Sequence, residues 1–235
     1  MKAEGRVLVC FPLKQEAAPF RKVAASGLRQ SRLVSVLLTG IGRRNAERAL
    51  RNFLNANPAD LVLTCGFAGG LNPDLKLCEV VFELANTPLA PALSTPGGER
   101  VSARTGEGLP SKLVAAGAKP ARFFCADRIA TTVAEKKKLR NETGADAVEM
   151  ESAAIYAVCR EHSIPCATVR VISDTASEDL PLDFNQLSRP DQSLDYGKLF
   201  LAIAKSPGKI GALMKLQKQT QFAAERLAEV LAGTL

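Results

Sequence analysis

The chain has 235 residues, 46% of them hydrophobic and 23% charged, enough to bury a full α/β core, which excludes disordered, collagen-like and coiled-coil architectures. A net charge of +7 reads either as a solubilising surface or as attraction to nucleic acid or an anionic membrane. With 5% aromatic residues, no Trp and no interleaving of basic and aromatic positions, recognition of nucleic acid by base stacking is not supported.

A strand is predicted over 6–11 (RVLVCF), followed by a helical stretch over 13–27 in which Pro19 predicts a break or kink. A second strand covers 31–40. The helix after it, over 41–57, sets Ala46, Ala49, Leu50, Phe53 and Leu54 on one face. Residues 59–75 (ADLVLTCGFAGGLNPDL) read as a short buried strand running into a glycine-rich turn, and 78–85 as a further strand. This alternation predicts an α/β fold with helices covering a largely parallel or mixed sheet.

Residues 86–122 are the least regular, with a Pro-, Gly-, Ser- and Thr-rich loop at their start. Order returns with a strand and turn over 121–130, a Thr-capped helix over 131–143, helical spacing over 147–163 and a β-branched strand over 165–179. After a loop over 180–195, a C-terminal helix carries the stripe Ile210, Leu213, Met214, Ala224, Leu227 and Leu231, expected to face the sheet. Without an internal repeat or linker, residues 1–235 read as one domain.

Cys10, Cys65, Cys78, Cys125, Cys159 and Cys166 form no C-x-x-C pair, and the single histidine is His162, so zinc-site spacing is missing. Most of these thiols sit in apolar runs and read as reduced packing groups of a cytoplasmic protein. The N-terminus lacks a long apolar region with a cleavage site, and no run approaches the ~18–20 residues of a membrane span.

Candidate chemistry gathers where strands end. TGIGRRN (39–45) offers backbone amides between a strand and a helix, but it lacks a third glycine and a P-loop lysine, so a structural turn is the simpler reading. In GFAGGL (66–71) the glycines around Phe67 and Ala68 allow close backbone approach to a ligand. VEMES sets Glu149 and Glu151 on either side of Met150 just before a helix, where carboxylates either favour the dipole or face a ligand. VRVISDTA ends a strand on Asp174, with Arg170 four residues earlier; open α/β sheets present ligand groups at such ends, and a partly desolvated Asp there can donate a proton near neutrality. Glu16 follows the first strand, in the same layer. With no histidine at hand and no nucleophile-elbow serine, the chemistry suggested is acid-assisted cleavage, with carboxylates steadying positive charge and activating water.

The order strand-KQE, TGIG, CGFAGGL, EVV, VEMESAAI and VRVISDTA, over residues 6–178, resembles the purine nucleoside phosphorylase and nucleosidase superfamily, and within it the 5′-methylthioadenosine/S-adenosylhomocysteine nucleosidases. The resemblance implies a three-layer α/β/α sandwich with a twisted mixed sheet and a homodimer. It also implies hydrolysis of the N-glycosidic bond of an adenine nucleoside carrying a 5′-substituent, without metal or organic cofactor. By the same resemblance Asp174 is the general acid to adenine N7, and Glu16 positions and activates the water. Glu151 binds ribose hydroxyls, Met150 packs on the sugar, and Arg170 lies near the water or phosphate. Glu149, Phe67, Ala68, Gly69, Arg128 and Ile129 surround the substrate.

The chain departs from the family's pattern in places. Phe67 stands where the family usually has a small polar residue, and Thr64 where phosphorylases carry Arg; both count against phosphate as nucleophile. A phosphorylase releasing ribose 1-phosphate and a non-catalytic nucleoside-binding protein are the alternatives. The loop with Asp127, Arg128 and Ile129 lacks the usual base-stacking aromatic, and the Pro-rich 86–111 region replaces a stretch that usually completes the pocket. LPLDFNQL (180–187) and the basic C-terminal helix resemble a hopanoid-associated branch of the superfamily. That branch implies an adenosyl-lipid substrate, with Lys198, Lys205, Lys209, Lys215 and Lys218 near an anionic membrane.

Overall fold

β1 (Arg6–Phe11) and β3 (Leu61–Gly70) are apolar along nearly their whole length, the pattern of strands covered on both faces. In the computed structural model, which describes residues 5–27, 33–85, 108–187, 189, 198, 201 and 207–235, they lie near the middle of an eight-stranded mixed sheet. Its order is β2–β1–β3–β8–β4–β5. β2 (Leu33–Leu38), β1, β3 and β8 (Cys166–Asp174) run parallel, β4 (Val80–Leu84) is antiparallel to β8, and β5 (Lys119–Pro120) is parallel to β4. β3 outruns β1, so its last residues, Gly69 and Gly70, pair instead with β7 (Ala147–Glu149), which carries β6 (Phe123–Cys125) on its other side. The sheet therefore forks at the end of β3.

Alternation along β1 distributes its side chains between two helical layers. Val7, Val9 and Phe11 pack with α1 (Lys14–Gly27) and α6 (Ile210–Thr234) through Phe20, Leu227 and Leu231. Leu8 and Cys10 pack on the other side with α2 (Arg43–Ala56) and α5 (Ser152–Glu161) through Leu50, Ile155 and Val158. This is the expected three-layer α/β/α sandwich. α4 (Val133–Thr143), opened by the Thr132–Glu135 capping box, closes over the β6–β7 fork.

Several local expectations are corrected. α1 continues through Pro19, because Glu16, Ala17 and Phe20 are anchored in the interior and tertiary packing offsets the roughly 3 kcal/mol of an internal proline. The GFAGG run is strand, held on both edges by β8 and β7, where a turn was expected. Within 86–122, residues 86–107 lie outside the described residues. Residues 109–115 form α3 (Leu109–Ala115), whose Pro110 in the first turn suits a helix start. Residues 147–149 are strand, so the helix begins only at Ser152. In α6 the stripe holds at Ala224, Leu227 and Leu231, whereas Ile210 and Met214 are exposed. All six cysteines are unpaired.

Candidate active site

Near its end β8 carries one extra residue: Ala68 pairs with Ile172, but Gly69 pairs with Asp174. This bulge allows Ser173 and Asp174, which strict alternation sends to opposite faces, to line one cavity of about 230 Å³. Gly69 makes room for the acid, since a Cβ there would stand 3.3 Å from Asp174 Oδ2. Asp174 is buried at the strand end, as expected from the sequence, and both of its oxygens have partners. Its Oδ1 accepts from Ser173 Oγ at 2.7 Å, and its Oδ2 is ion-paired with Lys136 Nζ at 2.6 Å.

The other end of the cavity is built on Glu16, in the first turn of α1. Its Oε2 accepts from the Leu13 N–H at 2.8 Å and its Oε1 from the Phe67 N–H at 2.9 Å. Gly66, at φ +145°, sits opposite Arg170 across the β3–β8 ladder. A Cβ at Gly66 would lie 2.8 Å from Arg170 Nη1 and 3.0 Å from Glu16 Oε1, so only glycine fits. Glu16 thus lies against Gly66 and Asp174 against Gly69, two glycines about 10 Å apart at the rise of a strand.

Arg170 is fully buried and organises the carboxylates around it. Its Nη2 donates to Glu149 Oε2 at 2.7 Å, Glu151 Oε2 at 3.0 Å and Thr64 Oγ1 at 3.2 Å. Glu149 also accepts from the N–H groups of Glu151 and Ser152 at 2.9 and 2.8 Å, which ties it to the start of α5. Glu151 Oε1 accepts from the Gly42 N–H at 2.8 Å, so the TGIG turn serves this carboxylate directly. Burial pushes Glu16 up to about 7, against the Phe67 N–H and Arg170, which favour its ionised form. Burial likewise raises Glu151, with Arg170 opposing and Glu149 adding to the rise. For Arg170 burial disfavours the charge, but Glu149, Glu151 and Glu16 outweigh it and hold the guanidinium protonated.

Every residue that the resemblance assigned to the site lines this cavity, namely Glu16, Phe67, Ala68, Gly69, Arg128, Ile129, Glu149, Met150, Glu151, Arg170 and Asp174, whereas Thr64 and Asp127 do not. Arg128 pairs with Glu135. Sequence reasoning missed Lys136, Ser173 and the part played by 180–187. Asn185 brackets the Ile129 main chain, accepting from its N–H at 2.9 Å and donating to its carbonyl at 3.0 Å. Phe184 from the same segment brings an aromatic ring to the cavity wall, and Leu216 and Thr220 of α6 add to it. Lys136 had a faint signal, being the inward position of a helix that is otherwise polar. Among the described residues no three His, Cys, Asp or Glu side chains are grouped as metal ligands, and no helix is long and apolar enough to cross a membrane.

The phosphorylase superfamily model matches residues 98–205. The 5′-methylthioadenosine/S-adenosylhomocysteine nucleosidase of Chromohalobacter salexigens is 30% identical over 170 residues, covering 64% of this chain and 71% of that protein. The aminodeoxyfutalosine nucleosidase of Campylobacter jejuni is 28% identical over 160 residues, covering 62% of this chain and 69% of that protein. The fold is shared with the 5′-methylthioadenosine/S-adenosylhomocysteine nucleosidase structure from Helicobacter pylori, at a TM-score of 0.68 and 19% identity over 99% of this chain and 98% of that one. The chain belongs to the phosphorylase superfamily. It is an enzyme of the nucleosidase or nucleoside phosphorylase type.

Proposed function

We propose that the protein hydrolyses the N-glycosidic bond of an adenine nucleoside carrying a 5′-substituent and releases free adenine. The observation that carries this reading is that Glu16, against Gly66, and Asp174, against Gly69, line one cavity. Asp174 delivers a proton to N7, so the base departs neutral while positive charge builds at the sugar. Glu16, raised to about 7, accepts the proton of the attacking water. Glu151 holds ribose hydroxyls, and the carboxylates around Arg170 favour the oxocarbenium-like sugar.

Water is favoured over phosphate because the terminal nitrogens of Arg170 are already engaged by Glu149, Glu151, Thr64 and the Cys65 carbonyl, and Phe67 occupies the adjacent wall. Phe67, Leu180, Phe184 and Leu216 make that wall apolar, which suits a methylthio or larger apolar 5′-group. The names of the relatives support an adenine nucleoside of this general kind. Exposed Ile210 and Met214 beside Lys209, Lys215 and Lys218 support peripheral contact of a cytoplasmic homodimer with an anionic membrane. Lys205 lies outside the described residues.

The test is chromatographic: adenine release from 5′-methylthioadenosine, S-adenosylhomocysteine and a 5′-lipid adenosine, each with and without phosphate. Release without phosphate is expected. Release only with phosphate makes the enzyme a phosphorylase, and a thermal shift without release makes the protein a binder.

A further inference from the structure

Lys136 is the only fully buried residue of α4, while its neighbours Lys137 and Lys138 are exposed. An ammonium is not buried at tolerable cost without partners. Lys136 directs its donors to Asp174 Oδ2 at 2.6 Å and to the carbonyl oxygens of Thr175 and Glu178 at 2.7 Å each. One side chain therefore fixes both the carboxylate and the turn that follows it. The other acids nearby are turned elsewhere: Glu135 toward Thr131, Thr132 and Arg128, and Glu178 toward Thr175 and Lys215. Lys136 faces Asp174 alone.

The second oxygen of Asp174 is held differently. Ser173 Oγ lies 2.7 Å from Asp174 Oδ1 and 3.3 Å from the Ala68 carbonyl. Its hydroxyl donates to Oδ1 when Asp174 is ionised. By turning to Ala68 it accepts from Oδ1 when Asp174 is protonated. With Oδ2 held by Lys136, Oδ1 is the oxygen placed to exchange a proton.

We propose that Lys136 is the positioning residue and counter-ion of the general acid, an inference that rests on reading Asp174 as the proton donor to the base. The proton passes from Oδ1 to the base, the electron pair of the C1′–N bond leaves with the base, and the negative charge left on Asp174 is met by the ammonium. The charge thus develops toward a donor already in place, which lowers the barrier in the way fixed donors do in other enzyme sites.

The experiment compares two leaving groups in wild type, Lys136→Met and Lys136→Gln. Gln keeps an amide donor for the two carbonyls and serves where Met does not fold. One substrate is the adenine nucleoside that wild type cleaves best. The other is 4-nitrophenyl β-ribofuranoside, whose leaving group departs without a proton. Expected is a fall of about 10²-fold in kcat for adenine release with KM within about threefold, and nitrophenolate release within about threefold of wild type. Adding Lys136→Met to Asp174→Asn is expected to slow adenine release no further. Equal losses on both substrates reduce Lys136 to scaffolding and overturn the proposal, as does undiminished adenine release. Wild type that frees nitrophenolate but no purine base, or that frees neither, overturns the functional reading and the proposal with it. Adenine release by wild type confines any failure to Lys136.

Discussion

The two ends of the cavity bury charge in opposite ways. At the end proposed to hold the base, the base end, one carboxylate, Asp174, meets one buried cation, Lys136. At the sugar end Glu149, Glu151 and Glu16 share the single guanidinium of Arg170. A one-to-one pair fixes position and leaves a single oxygen free to exchange a proton. The buried cluster does something else: burial raises one carboxylate, Glu16, to about 7 against the Phe67 N–H and Arg170, with Glu151 adding to the rise, and so leaves it able to take a proton. In the proposed reaction a proton is given at one end and accepted at the other, so the asymmetry of charge would follow the direction of that reaction.

The sharpest way to break this comparison is at the base end. Asp174→Asn keeps the shape and an oxygen for Lys136 but has no proton to give. Adenine release is expected to fall about 10³-fold while circular dichroism stays native. Unchanged turnover would remove Asp174 from the chemistry. At the sugar end the corresponding test is Arg170→Met, which strips the cluster of its cation. A loss of about 3–5 kcal/mol is expected, seen as a melting temperature lower by roughly 10 °C. The deficit is expected to shrink as the pH is lowered toward 5, because the abandoned carboxylates then take up protons. A variant as stable as wild type at pH 8 would show that the cluster does not carry the charge assigned to it.

How much of this was legible in the sequence differs between the same two ends. Glu149 and Glu151 sit in the short VEMES run, Arg170 lies four residues before the tip of its strand, and the glycines of GFAGG mark close approach, so much of this end could be assembled from the residues before the fold was known. Gly66 illustrates why: its space is taken by Arg170 and Glu16, a constraint written locally as a glycine. The base end was only half legible. Asp174 was found at a strand tip, but its cation arrives from α4, where the run Lys136–Lys137–Lys138 looks like a solvated helix face. The 126–130 loop brings no aromatic ring, and Phe184 reaches the cavity wall from a segment more than fifty residues away in the chain. The bulge before Asp174 has no signature of its own, because pairing register is a property of two strands and not of either sequence.

The pH dependence sharpens the sugar end. With Glu16 raised to about 7, the base-release rate is expected to climb about tenfold per unit below that pH and to level above it. Stability runs the other way. Native Glu16 keeps its proton between its ordinary value of 4.5 and about 7, whereas the unfolded chain does not. Its contribution to stability is therefore full below 4.5 and lost as the pH rises through about 7. Glu16→Gln is expected to remove the limb of the rate profile and the stability slope together. Glu151→Gln is expected to move the limb to lower pH, since Glu151 is one of the charges that raise Glu16. A limb that survives Glu16→Gln unaltered belongs to another group.

The smallest expected effect tests whether the base end is a matter of position, as the one-to-one pair implies. Asn185 makes no charge interaction in the site; it braces the Ile129 main chain through one accepted and one donated bond, and so ties the 180–187 segment to the loop that borders the base. Asn185→Ala removes both bonds and leaves Asp174, Lys136 and the Arg170 cluster untouched. KM for the adenine nucleoside is expected to rise about five-fold, the equivalent of roughly one hydrogen bond, with kcat within about twofold. A fall in kcat with KM unchanged would mean that the loop sets the direction in which Asp174 hands over its proton. In that case positioning at the base end extends from the Lys136 pair to the backbone that faces it across the cavity.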